Sequence, residues 1–341
     1  MYVDSQTLPA LFALLTQLNA QKSSLAESIN VSLAQLNDIA TKIGFELFSL
    51  GHYDKAELCL TITAAQGNVE AQYAMATCVT KRDGGFRVPS NETRTWLRLA
   101  AAQDHIPSLM RLGDAESLKK ANDLLIPKAN GGDTQAMRLL FKLSGDVSWL
   151  NMASTQNDHC AQMQLAQAYD ATPALIPNEI ERRALIEELR QKAADGGDLN
   201  ALAERVFSDT STANIQEKQH RLMQLAETGQ LDALLEYGYA LAGMPRNGEG
   251  YSKFSRRHAS APRTYGLERD LAKAYAVLKL VLPKLSDAPL AEILKQDMSA
   301  VWHQMTPQQY STSEAIWISL QASIPRIFKS MDPMIIVGGL H

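Results

Sequence analysis

The chain has 341 residues, 45% of them hydrophobic and 21% charged, with a net charge of −4. This is the composition of a folded protein with enough apolar surface for a core, and it offers no global attraction to nucleic acid or to an anionic membrane. Three cysteines, Cys59, Cys78 and Cys160, form an odd set without CxxC spacing, which argues against a disulfide framework and fits a reducing compartment.

The opening stretch, MYVDSQTLPALFALLTQLNAQ, lacks a basic leader, and Thr16, Gln17 and Asn19 interrupt its apolar run. It reads as an amphipathic helix and not as a signal peptide. No run reaches the ~18 apolar residues of a membrane span, so the expected location is cytoplasmic. Residues 1–40 are expected to form a helical cap, because a terminal repeat would otherwise expose its apolar face.

From residue 41 to residue 244 a pattern recurs. A Gly, Asn or Asp closes a helical run, and a small residue follows four positions later: Gly67 with Ala71, Asp104 with Ser108, Gly132 with Ala136, Asn157 with Ala161, Gly197 with Ala201, and Gly229 with Ala233. The first member of each pair is a type that adopts the left-handed conformation most easily, the mark of a helix C-terminus. The small second member falls in the first turn of the next helix, where it lets two helices approach. Successive anchors are 37, 28, 25, 40 and 32 residues apart, against about 34 for a helix–turn–helix unit. The 25-residue interval implies a shortened unit. Strand patterns are nearly absent. The expected fold is all-α, a right-handed α-solenoid of stacked helix–turn–helix repeats with helical caps.

The residues carry a resemblance. LFSLGHYDKAELCL, with Gly51, Tyr53, Asp54, Lys55 and Ala56, resembles a tetratricopeptide-repeat (TPR) junction. AAQGNVEAQYAMA is similar to the Sel-like (SLR) branch of that superfamily, as are WLRLAAAQD and RDLAKAYAVLKLV, over roughly residues 41–285. The resemblance implies a scaffold that binds other proteins without chemistry of its own and without a cofactor. It also implies that the helices beginning at the anchors line the concave side. Their polar members Gln72, Arg138, Gln164, Glu204 and Glu236 are then candidate partner contacts; solvated helix faces are the competing reading.

Two segments break the period. KRDGGFRVPSNET, Lys81 to Thr93, reads as a linker in which Ser90 or Asn91 caps the helix carrying Trp96. Residues 245–266 read as a long loop. Arg246, Lys253, Arg256, Arg257 and Arg263 stand there against one acid, Glu249, with Tyr251, Phe254 and Tyr265 interleaved. In an acidic chain this is a docking loop for an acidic protein surface, or a solvated insertion. Nucleic acid is disfavoured because one loop supplies no stacking platform.

Motifs for metal, phosphate or nucleophilic chemistry are missing. Asp158, His159 and Cys160 are adjacent, but neighbours on a helix point in different directions and cannot share one ion. Cys59, Cys78 and the four tryptophans, Trp96, Trp149, Trp302 and Trp317, read as packing residues. Glu179 with Arg183 and Glu187 with Gln191 describe a solvated helix face. Residues 267–341 hold the last repeat helix, two capping helices separated at Thr306–Pro307, and an apolar tail, MDPMIIVGGLH. The tail packs back as an extended strip or docks into a partner.

The function expected from all this is non-enzymatic: an interaction scaffold or adaptor. An immunity-type protein that neutralises a toxin by tight 1:1 binding is the alternative. From another class comes a small-ligand binder or enzyme using the groove, and self-association through a solenoid edge or the tail is a further reading.

Overall fold

The computed structural model describes residues 17, 27–85, 89–208, 213–244, 265–324 and 326–329. Among these there are sixteen α-helices, two 3-10 turns and no strand, only an isolated bridge between Gln230 and Phe328. The fold is all-α. Two compact units divide it, the described residues up to Leu124 and Leu125–Lys329.

In the first unit α1 (Glu27–Ser49), α2 (Tyr53–Ala65), α3 (Val69–Arg82), α4 (Asn91–Ala101) and α5 (Ile106–Leu112) pack each on the next. The unit boundary falls inside α6 (Ala115–Asn130). In the second unit the same sequential packing runs through α7 (Thr134–Ser144), α8 (Ser148–Thr155), α9 (His159–Ala171), α10 (Glu179–Asp195), α11 (Leu199–Phe207), α12 (Ile215–Glu227), α13 (Leu231–Ala242) and α14 (Leu271–Val281). The pair α15 (Ala288–Trp302) and α16 (Pro307–Ser323) closes the unit, with α16 laid back on α14. Thr306 caps α16 in a reciprocal capping box with Gln309. Each unit is thus a stack of helical hairpins joined by short turns, the arrangement read from the period. The irregular intervals have visible causes. The 3-10 turn Pro173–Leu175 lengthens one, and an eight-residue α8 shortens another.

All six anchors are left-handed: Gly67 (φ 96°), Asp104 (60°), Gly132 (93°), Asn157 (60°), Gly197 (84°) and Gly229 (86°). Asp104 and Asn157 are the only described non-glycine residues with positive φ. The small residue four positions on is buried each time, from 0% exposed at Ala71 and Ser108 to 2% at Ala136. The position between them is one that sequence reading passed over. Asn68, Asp133, Asp158, Asp198 and Gln230 each cap the new helix, accepting from the backbone N–H of Ala71, Ala136, Ala161, Ala201 and Ala233. One joint therefore turns the chain, satisfies an orphan donor and buries a methyl group within five residues. At the sixth joint His105 stands in that place, with Nδ1 2.8 Å from Ser108 Oγ.

The core lies between the hairpins. In the first unit Phe45, Phe48, Leu60 and Met75 pack around Ala56, Ala64, Ala71 and Ala74. In the second, Leu140, Leu150, Leu202, Leu222, Leu234 and Leu278 are sealed. Each such leucine stabilises the fold by about 1.5–3 kcal/mol, an upper figure. Gly238 lets α13 close on α14, since a Cβ there would meet Leu278 Cδ2 at 2.6 Å. Two of the helices that begin at anchors are enclosed almost all round: residues 71–79 of α3 are buried without a break, and so are residues 233–239 of α13. No helix among the described residues is long and apolar enough to cross a membrane.

Candidate functional site

The enclosure of α3 and α13 decides where two of the helix-face candidates lie. Gln72 is 3% exposed; its Nε2 donates to Ala64 O at 3.1 Å, and its Oε1 accepts from Gln103 Nε2 at 3.2 Å. Glu236 is 7% exposed and accepts from Tyr265 Oη at 3.0 Å. Arg138 on α7 pairs through Nε with Asp158 Oδ2 at 3.2 Å, tying α7 to the cap of α9. Gln164 on α9 is half-buried, and its Oε1 is enclosed without a hydrogen-bond partner. Glu204 on α11 faces Arg190 Nε at 3.0 Å. Burial raises the Glu204 carboxyl above the ordinary carboxylate range, and Arg190 opposes that rise. Four of these five residues are thus engaged within the chain.

Glu204 belongs to a lattice that the sequence did not disclose. Arg190 on α10 also reaches Asp170 on α9 at 3.2 Å. Arg205 on α11, 5% exposed, holds Glu187 at 2.7 Å and Gln191 at 2.8 Å on α10, with Glu217 on α12 at 3.8 Å. Arg221 on α12, 6% exposed, bonds Asp195 and the Ala194 carbonyl on α10. Three arginines thereby join four successive helices. Glu187 and Gln191, expected on a solvated face, are partly exposed and both accept from Arg205. The exposed Glu179–Arg183 pair forms as expected, at 2.5 Å.

The basic segment's residues Arg246, Tyr251, Lys253, Phe254, Arg256, Arg257 and Arg263 lie outside the described residues, as do Phe86 and Arg87 of the shorter linker. The ends of the basic segment are described. Gly243 takes a left-handed turn, Met244 N donates to Tyr239 O at 3.2 Å, and Asp270 N to Leu241 O at 2.9 Å. Tyr265, read from sequence as one of the interleaved aromatics, is 3% exposed and holds the returning end against Glu236.

In the shorter linker Ser90 is the cap, accepting from Thr93 N at 3.3 Å. Beside it Arg82 bridges Glu57 at 2.5 Å and Glu92 at 2.6 Å.

Reactive-looking groups have structural employment. Ser108, His105 and Glu70 line up as a nucleophile, base and acid would, with His105 Nε2 3.7 Å from Glu70 Oε1. The Ser108 residue is 0% exposed, so its hydroxyl meets no substrate. Burial lowers the His105 pKa to about 4. Asp158 caps α9, His159 contacts Gln162 at 3.2 Å, and the Cys160 thiol is pushed up to about 12, first by burial and then by Asp198. Cys59 and Cys78 are buried, with thiols raised by burial to about 11 and about 12. No group of three potential metal ligands occurs among the described residues. Trp302 packs at an edge: it is 39% exposed, stacks on Tyr310 at 4.0 Å and meets Tyr275 of α14 at 5.2 Å.

No family model matches the chain, and no curated protein matches it. Among solved structures it is similar to a protective antigen of uropathogenic Escherichia coli with an SLR fold, at 17% identity and a TM-score of 0.40, over 87% of this chain and 63% of that one. The chain thus spans less than two thirds of that protein's length. It is also similar to a Sel1 repeat protein from Oxalobacter formigenes, at 20% identity and a TM-score of 0.33, over 64% of this chain and 95% of that one. Likenesses this distant carry no argument about what the chain does.

Proposed function

We propose that the chain is a non-enzymatic interaction scaffold or adaptor that engages an acidic protein surface through residues 245–264. The observation that carries this reading is the pair of fixed ends around that segment. Five basic residues, Arg246, Lys253, Arg256, Arg257 and Arg263, lie between a capped helix and a buried tyrosine. Fixed ends lower the ordering cost of a binding segment, and arginine side chains suit paired recognition of carboxylates. The internal engagement of Gln72, Arg138, Glu204 and Glu236 supports placing the first contact on the segment and leaves the helix faces a secondary part.

The test is capture with the intact chain and with a chain carrying Arg246, Arg256, Arg257 and Arg263 all changed to Ser. A stoichiometric protein that is lost with the arginines and released by salt supports the reading. One that is retained by both chains sinks it. The immunity-type alternative differs in one observable, a single partner held in strict 1:1 ratio through washing; a scaffold holds several partners more weakly.

A further inference from the structure

Two of the left-handed turns are covered by the glutamine that precedes the next such turn. In the first unit the Gly67 carbonyl accepts from Gln103 Nε2 at 3.0 Å. In the second, Gln156 lies 3.8 Å from where a Cβ of Gly132 would be and reaches Met137 Sδ at 3.9 Å. Gln103 and Gln156 each stand immediately before the left-handed residue of the following turn. Among the described residues Gly229 belongs to the last turn of this kind and has no such successor. The residues that follow α16 take the vacant place. Phe328 N donates to Gly229 O at 3.1 Å, and Leu231 N donates to Phe328 O at 2.8 Å. Ile324, Ile327 and Phe328 are 8%, 5% and 3% exposed. A Cβ on Gly229 would fall on the carbonyl oxygen of Arg326, whereas Gly67 and Gly197 have nothing within 4 Å of theirs.

We propose that the α12–α13 turn is a peptide-docking edge, filled by the chain's own Ile324 and residues 326–329 and able to take the same residues of a second copy in exchange. Recognition is by backbone pairing and three apolar side chains, the chemistry of strand addition, so a segment of this spacing fits from either source. The segment seen to fit is this one, and every other copy carries it. Release leaves the helices whole, because α16 is held separately by its packing on α14. The hinge is at hand: Ile324 ends α16 in a non-helical conformation, φ −114° and ψ 81°. Exchange of such a short element between copies is a low-cost route to dimers.

The experiment uses the full chain, a Phe328→Pro variant that removes the N–H bonded to Gly229, and a labelled synthetic peptide of residues 322–331. Fluorescence anisotropy should show saturable 1:1 binding to Phe328→Pro and binding at least about tenfold weaker to the unmodified chain, whose own segment competes at high effective concentration. Adding Gly229→Val to the variant should abolish binding. Absence of binding to Phe328→Pro overturns the proposal, and so does binding that survives Gly229→Val. If Phe328→Pro loses its helical circular dichroism, Ile327→Ser replaces it, keeping the backbone pairing and removing apolar hold. Light scattering on the concentrated unmodified chain decides the occupant. A concentration-dependent dimer that Phe328→Pro diminishes supports exchange; a strict monomer overturns the second copy as occupant.

Discussion

Tyr265 and Glu236 meet through a 3.0 Å hydrogen bond at a place where both side chains are buried. The pair joins the end of the basic segment to the middle of α13, so removing the hydroxyl should act on both. Tyr265→Phe should lower stability by about 1–3 kcal/mol, because a buried carboxylate loses a donor. Chemical denaturation measures that loss, and limited proteolysis between residues 245 and 264 should quicken in the variant. Unchanged proteolysis would show that the tyrosine does not hold the segment's end.

The six turns should not tolerate side chains equally. Gly67→Asn and Gly197→Asn should each cost about 1 kcal/mol or less, because asparagine accepts the left-handed region and nothing lies near either Cβ position. Asp104 and Asn157 already occupy equivalent places at φ 60°. Gly229→Asn should cost about 3 kcal/mol or more, since the new atom displaces the Arg326 backbone. Thermal melts of the three variants give the ranking.

Acid should weaken the first unit through His105. Its folded pKa of about 4 lies below the ordinary value of 6.5, so the unfolded chain binds the proton first. Stability therefore falls as pH drops from about 6.5 to about 4, by up to about 3 kcal/mol. Glu70, raised by burial, works in the other direction: it is protonated first in the folded state, so its share of stability is lost as pH rises through its folded pKa. His105→Asn, which installs the cap residue found at Asn68, should flatten the fall between those limits. Urea midpoints across that range decide the matter.

The arginine lattice predicts an asymmetry. Arg205→Ala should cost about 3 kcal/mol, because Glu187 and Glu217 lose their partner beside a desolvated site. Arg205→Met combined with Glu217→Leu should recover most of it, since an apolar pair of similar volume serves as well. Equal losses in both variants would mean that the site needs charge.

What was legible in the sequence was local. The left-handed residues at 104 and 157 could be read without glycine, because Asp and Asn are the other types that accept that conformation. The buried small residue four positions on followed from helix geometry. Hidden were the pairings between distant parts: Arg205 to polar groups of two other helices, Tyr265 to Glu236, and Phe328 to Gly229. Each of these residues looks like an ordinary surface or core type on its own, and only the stack brings the partners together. The burial of Gln72 and Glu236 was hidden for the same reason. A polar residue at Gln72 or Glu236 signals a surface only while the helix has one, and α3 and α13 are enclosed.

The bond between Phe328 and Gly229 also has a bearing on time. Helical hairpins close among neighbours and can form as soon as their own residues exist, in the order in which the chain is made. The α12–α13 turn cannot be finished that way, because its last partner is made almost a hundred residues later. Until then its backbone groups and the apolar surface beneath Ile327 and Phe328 lie open to whatever else is nearby. A nascent chain that has not yet reached Phe328 therefore carries unpaired backbone groups at this turn.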